Sequence, residues 1–315
     1  MTNIPLGQEW VTSVTRADAP ENAIIGAHPI RRPEAAEFRE LTLNLARTPA
    51  AREMVRRRWF SPADVQDKMA ARGEALLGFL FRGPAARPAF AMFRGRRLNA
   101  RRDVVEQVAT MAWLAHAADA VRNIPRRALR ADGVSPEFLA DLVRLSIESD
   151  GPKRALETVR AAGIHVIVED GLPGMSLDGA SFHTAELGPV LGMTLRHDRL
   201  DNFWFTLLHE LGHIALHLAT PGSDVFVDAI DESGDDEEEA EAEADAFAKD
   251  ALIPRDAWFR SDAYRIGSES SLLALAKHLR VHPAIVAGRI RYERRDFRRF
   301  ASLVGQGQVR DVIFE

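Results

Sequence analysis

The stretch Asn202-Phe203-Trp204-Phe205-Thr206-Leu207-Leu208-His209-Glu210-Leu211-Gly212-His213-Ile214-Ala215-Leu216-His217 constrains this chain more than any other. It sets the pattern H-E-x-x-H inside an apolar, helix-periodic segment. On a helix, residues i and i+4 stand one turn apart on the same face, so His209 and His213 can offer imidazole nitrogens to a single metal ion. Glu210 then projects beside the metal, where a carboxylate can take a proton from an activated water and pass it to a leaving amine. Gly212 costs about 1 kcal/mol relative to Ala within a helix, so a reason such as close approach of a neighbouring backbone is expected. The blander reading, an amphipathic helix with two histidines on its rim, gives Gly212 no purpose.

Two histidines do not close a metal site, and a third ligand must come from elsewhere. The Ala-rich stretch from Glu241 to Pro254 reads as a helix stopped by its proline. Its apolar stripe is Ala244, Phe247, Ala248 and Ala251, and Glu241 and Asp245 fall one turn apart on one side. Such a pair suits Glu241 on the metal and Asp245 hydrogen-bonding the far nitrogen of a ligand histidine. Composition alone leaves Glu239 and Glu243 as alternatives to Glu241. The preceding run Asp235 to Glu239 reads as a solvated acidic loop.

The segment His209-Glu210-Leu211-Gly212-His213 with Leu216-His217, then E-x-E-A-D-x-F-A-x-x-x-L-I-P from Glu241 to Pro254, resembles the ImmA/IrrE family of bacterial metallopeptidases over roughly 151–290. The resemblance implies Glu241 as the third zinc ligand, four residues ahead of Asp245 in the family's Asn/Asp place. It implies a zinc metallo-endopeptidase, with Glu210 as general base, that cleaves a helix-turn-helix repressor or an antitoxin and so derepresses stress or defence genes. Another divalent ion such as Mn2+ would also suit two imidazoles and one carboxylate. Related domains are fused to HigA-type antitoxins, yet no DNA-binding domain is evident ahead of the peptidase motifs here, which favours a repressor supplied as a separate chain. The competing class is a non-hydrolytic antitoxin-like or DNA-binding regulator with a structural metal, against which an intact Glu210 argues.

At 315 residues and 46% apolar composition, the chain can build two domains, expected at 1–134 and 135–315. It has no cysteine, which excludes disulfides, thiolate ligands and a cysteine nucleophile. No window approaches the ~20 apolar residues of a membrane span, and the N-terminus lacks a signal pattern, so a cytoplasmic protein is expected. The net charge of -5 conceals an uneven distribution. Residues 201–250 carry fifteen Asp/Glu and one Lys/Arg, whereas residues 51–130 carry seventeen Lys/Arg and seven Asp/Glu.

Residues 1–30 read as an irregular arm, and the chain from Arg32 to about Val121 as helices, one starting at Thr48-Pro49, another at Ser61-Pro62, and one over 103–121. Arg56-Arg57-Arg58, Arg94 to Arg102 and Arg126-Arg127, interleaved with Trp59, Phe60, Phe90 and Phe93, could form a cationic face for single-stranded nucleic acid. An acidic partner would suit the same face. Helices start at Ser135-Pro136 and Gly151-Pro152. The period then changes to two over 164–168, 179–182 and 189–195, which predicts three strands. An edge strand beside the metal can hold a peptide by strand addition. Asp201 is the expected N-cap of the metal helix, and His183, His197 and His217 are further histidines near it in sequence.

The pair of short helices over 271–290 resembles a helix-turn-helix, followed by Arg291, Arg294, Arg295, Arg298 and Arg299. Its second helix is mostly Ala, Ile and Val, which favours packing over base reading. The expected fold is therefore α+β and mostly helical. A small three-stranded sheet packs on the metal-binding helix, and an all-helical N-terminal domain precedes it.

Overall fold

The computed structural model describes residues 46–59, 101–125, 134–184, 187–218 and 235–315. Its contacts separate two compact units. The first takes residues 1–124, 171–177 and 229–234, and the second takes 125–170, 178–228 and 235–315.

In the first unit, α1 (Pro49–Arg56) starts where Thr48 and Pro49 predict, with Thr48 Oγ1 accepting from Ala51 N at 3.1 Å. The longer α2 (Arg101–Val121) buries Met111, Trp113 and Leu114 completely. Trp59 stacks flat on the His116 ring of α2, centroids 3.9 Å apart and planes within 5°. Arg57 lies over the Trp59 ring at 5.5 Å and donates to the Gly171 carbonyl at 3.0 Å. Hydrogen bonds from Arg56 and Arg57 hold the Glu53 carboxyl down at about 2. The expected arm over 1–30, the helices from Arg32 and Ser61, and the basic segments at 94–97 and 126–127 lie outside the described residues.

The second unit opens with α3 (Pro136–Arg144), whose Ser135 cap accepts from Phe138 N at 3.2 Å. A 3-10 turn over Leu145–Ile147 leads to α4 (Gly151–Ala161). Strands β1 (His165–Val168), β2 (Gly179–Thr184) and β3 (Gly188–Met193) follow where the period-two pattern predicts them. The sheet order is β1-β3-β2, with β1 parallel and β2 antiparallel to β3. The central β3 is buried along its whole length, as a strand covered on both faces must be. Strand β2 forms the edge nearest the helix that follows.

That helix is α5 (Leu200–Leu216). Phe203, Trp204, Leu207, Leu208, Leu211 and Ile214 are all buried, so the helix is enclosed almost all round. Each large apolar side chain removed from water in this way is worth about 2–3 kcal/mol. The N-cap position belongs to Arg199, not Asp201, and no side chain caps it. Instead the first amides of α5, Leu200 N and Asp201 N, donate to the carbonyls of Gly305 and Val304 at 3.3 and 3.4 Å. A distant backbone segment thus satisfies donors that local sequence was expected to satisfy. Asp201, in the first turn, accepts from Arg199 Nε at 2.8 Å and faces the buried Arg291 Nη1 at 3.4 Å.

Beyond α5, α6 runs Asp235–Leu252, so the acidic run expected as a loop is the first turns of the helix. The positive end of the helix dipole favours carboxylates there, which is why the helix extends through them. Ala244 and Ala248 are buried, and Phe247 and Ala251 pack partly buried against the core.

The remaining helices are α7 (Arg255–Arg260), α8 (Asp262–Arg265), α9 (Glu269–Leu279), α10 (Pro283–Glu293) and α11 (Arg310–Phe314). The pair α9–α10 turns through a left-handed Arg280, and α10 buries Ala284, Ile285, Val286, Ala287 and Ile290 while packing on α5. Its apolar residues are therefore spent on packing, and the pair buttresses the metal helix. The fold is mostly helical with one small mixed three-stranded sheet.

Candidate metal centre

The local sequence dictates how α5 presents its polar side chains. His209 and His213 lie one turn apart, and their Nε2 atoms come within 3.1 Å of each other with the rings nearly perpendicular, at 74°. From the facing helix α6, Glu241 brings Oε2 to 3.4 Å from His209 Nε2 and Oε1 to 3.4 Å from His213 Nε2. These three residues form the only described group of converging His and acidic donors. Donors held about 2.0–2.1 Å from a tetrahedral zinc ion stand about 3.3–3.4 Å from one another. The imidazole pair stands near that spacing, and each Glu241 oxygen lies 3.4 Å from a different one of the two nitrogens. Among the described residues it is Glu241, rather than Glu239 or Glu243, that faces both histidines.

Behind the donors, Asp245 Oδ1 faces His209 Nδ1 at 3.3 Å. A proton on Nδ1 would meet this carboxylate and leave Nε2 as the lone-pair donor. Burial raises the Asp245 carboxyl, but the hydrogen bonds from His209 and Lys249 outweigh it, and the group lies below its ordinary value.

Close approach of α5 and α6 depends on Gly212. A Cβ built there would lie 3.1 Å from Phe247 Cδ1 and 3.2 Å from Ala244 Cα, tighter than ordinary contact. Gly212 thus lets the two donor-bearing helices come within reach of one ion. The expectation of a neighbouring backbone at this glycine is met.

Glu210 is 1% exposed. It lies against the edge strand: a Cβ built at Gly179 would fall 2.4 Å from Glu210 Oε1 and 2.6 Å from Thr206 Cγ2. Gly179 is a site residue that the sequence reading passed over as a strand start. A glycine opening a strand two segments ahead of an H-E-x-x-H helix is the signal that could have found it.

The other histidines stay outside the donor group. His217 ends α5, with Nε2 3.8 Å from Glu243 Oε2. His197 Nε2 lies 3.9 Å from Asp178 Oδ2 in the loop ahead of α5, and His183 sits in β2 opposite Pro189.

Two histidines on one helix, a carboxylate from the next and a glutamate beside an edge strand have the arrangement of a metallopeptidase-like centre. Residues 159–291 match the family model described as Peptidase_M78, IrrE N-terminal-like domain. Over that stretch the chain is similar to the ImmA/IrrE peptidase family. No curated protein and no solved structure matches it.

Among the described residues no helix is long and apolar enough to cross a membrane.

Proposed function

We propose that this chain is a zinc-dependent metallo-endopeptidase, with His209, His213 and Glu241 as ligands and Glu210 as general base, acting on a helix-turn-helix repressor or antitoxin. The observation that carries this reading is the His209–His213 pair, 3.1 Å apart at Nε2 and bridged by the two oxygens of Glu241 at 3.4 Å each, with a second, separate carboxylate one residue from His209. A zinc ion bound there supplies Lewis acidity toward a peptide carbonyl and a water. The protein's own groups do the rest. Glu210 takes the proton of the attacking water and delivers it to the leaving amine. Asp245 keeps His209 in the donating tautomer.

Strand β2 supplies the substrate platform. It is an edge of the sheet, paired on one side to β3, and its first residue abuts Glu210. A substrate segment added along β2 is held by its backbone, which brings its carbonyls beside the catalytic carboxylate whatever its side chains are. That mode requires an extended segment, so cleavage falls in a linker or unfolded loop of the substrate.

In this reading the N-terminal part of the chain, expected as a domain over 1–134, has a sensory or regulatory role, and its Arg-rich segments take single-stranded nucleic acid. The protein acts in the cytoplasm, where its repressor substrates reside.

Metal content by mass spectrometry, on protein purified without added metal, tests the site. The expected result is one equivalent of zinc in the wild type, a large loss in Glu241→Ala, and retention in Glu210→Gln with cleavage of candidate repressors abolished. Turnover by Glu210→Gln equal to wild type would refute the mechanism.

A further inference from the structure

A charged side chain of α6 that the chemistry above does not use stands directly behind the metal centre. Lys249 Nζ makes an ion pair with Asp245 Oδ2, one turn away, while Asp245 Oδ1 faces His209 Nδ1 at 3.3 Å. The other side of the ammonium is covered by the ring of Tyr292 on α10, 4.9 Å from its centroid. One carboxylate thus bridges a ligand histidine and a lysine, and the lysine is pinned by an aromatic ring from a third helix.

We infer that Lys249 is a positioning residue for the metal centre: it neutralises and orients Asp245 so that this carboxylate keeps His209 directed at the metal, and Tyr292 holds Lys249 in place. The inference rests on the metal-site reading given above.

The physical need follows from charge. A neutral Asn at 245 could accept the His209 Nδ1 proton through its amide oxygen with no counter-ion. An aspartate does the same with a full negative charge. Asp245 is only 28% exposed at its side chain, so that charge is poorly hydrated. Two carboxylates besides, Glu241 and Glu210, already crowd the same helix pair. Without Lys249 the Asp245 side chain relieves its charge by swinging toward water. That movement releases His209 from its orientation, and outer partners of ligand histidines are worth about 10- to 100-fold in metal affinity. Lys249 supplies the compensating charge from within the same helix at i+4, the spacing at which such pairs meet.

The role also accounts for the placement of α10. Its apolar face packs on α5 near the ligand helix, and its last turn presents Tyr292 to Lys249. The cation-π contact confines a side chain that otherwise carries ~2 kcal/mol of rotamer entropy.

The test is zinc affinity of the full chain, measured by competition with a chromophoric chelator, for wild type, Lys249→Met, Asp245→Asn and the double variant. Methionine keeps the apolar stem and removes only the charge. Lys249→Met is expected to bind zinc about tenfold more weakly, with the far-UV spectrum and melting temperature of the metal-free protein unchanged. The double variant, with a neutral acceptor needing no counter-charge, is expected to regain most of that loss. A purely structural lysine would not give this rescue, because the double variant lacks it as well. Lys249→Met binding as tightly as wild type, or a double variant no better than Lys249→Met, would overturn the inference. A wild type that binds no zinc would instead remove the site reading on which it stands.

Discussion

Replacing Gly212 with Ala tests whether the α5–α6 distance sets the metal centre. The added methyl would sit 3.2 Å from Ala244 Cα and 3.1 Å from Phe247 Cδ1, where ordinary contact begins at 3.4 Å. Phe247 can turn its ring aside, but Ala244 Cα is backbone, so the helices must part by roughly 0.2 Å to reach ordinary contact. Glu241 lies on the same face as Ala244, less than a turn earlier, and moves with it. Metal sites tolerate about 0.2 Å in ligand distance, so the donor set is taken to the limit of its tolerance and zinc affinity should fall several-fold, up to about tenfold.

Stability responds in two opposed ways. Ala in place of Gly gains about 1 kcal/mol in helix propensity, and overpacking costs about 1–3 kcal/mol. The net expectation for the metal-free protein is a loss of 0 to about 2 kcal/mol. Chelator competition reads the affinity and thermal melting the stability, neither of which requires a substrate. A variant that melts higher than wild type and binds zinc equally well would show Gly212 to be merely a poor helix former, and would refute the reasoning.

Two further outcomes follow from named contacts. Gly179→Ala places a methyl 2.4 Å from Glu210 Oε1 and 2.6 Å from Thr206 Cγ2, so Glu210 must shift by about 1 Å; repressor cleavage should fall about 100-fold while zinc content is unchanged, and loss of zinc instead would place the effect elsewhere. His116 is pushed down to about 4, by burial above all and by Arg57, against the opposing pull of Asp119. Its folded value lies below its unfolded value of 6.5, so the unfolded chain binds the proton first: stability is full above pH 6.5 and falls as pH drops from 6.5 toward 4. Discounted for a side chain still partly within reach of water, the loss is about 2 kcal/mol. Denaturant melts followed by tryptophan fluorescence at pH 7 and pH 5 read it, and His116→Phe, which keeps a ring against Trp59, should flatten the slope; an unchanged slope would assign the acid sensitivity to another group.

The metal centre was legible in sequence because its parts are local and periodic. His209, Glu210 and His213 owe their geometry to helical spacing alone, and the Glu241–Asp245 pair to the same rule on a second helix. What that rule cannot supply is the distance between the two helices, on which the choice of Glu241 over Glu239 or Glu243 depends. The approach at Gly212 and Ala244 supplies it. The three strands were equally legible from their alternation, but their order was not: β2 lies at the edge because β3 returns between it and β1, a long-range pairing with no local signature. The errors have one cause. Asp201 was expected to cap α5 because nearby side chains usually do, yet Gly305 and Val304, about a hundred residues on, accept the first two amides, while Asp201, inside the first turn, accepts from Asn202 N and pairs with Arg199 and Arg291. The run from Asp235 was expected as a solvated acidic loop, yet the backbone is helical from Asp235, and acidic residues are favoured in a helix's first turn by its dipole. In both cases a rule about neighbours in sequence yielded to a partner or a field that only the assembled helices create. The same dependence runs through the Lys249–Tyr292 contact: α6 alone gives the Asp245–Lys249 pair, but only the packing of α10 on α5 brings an aromatic ring to hold it.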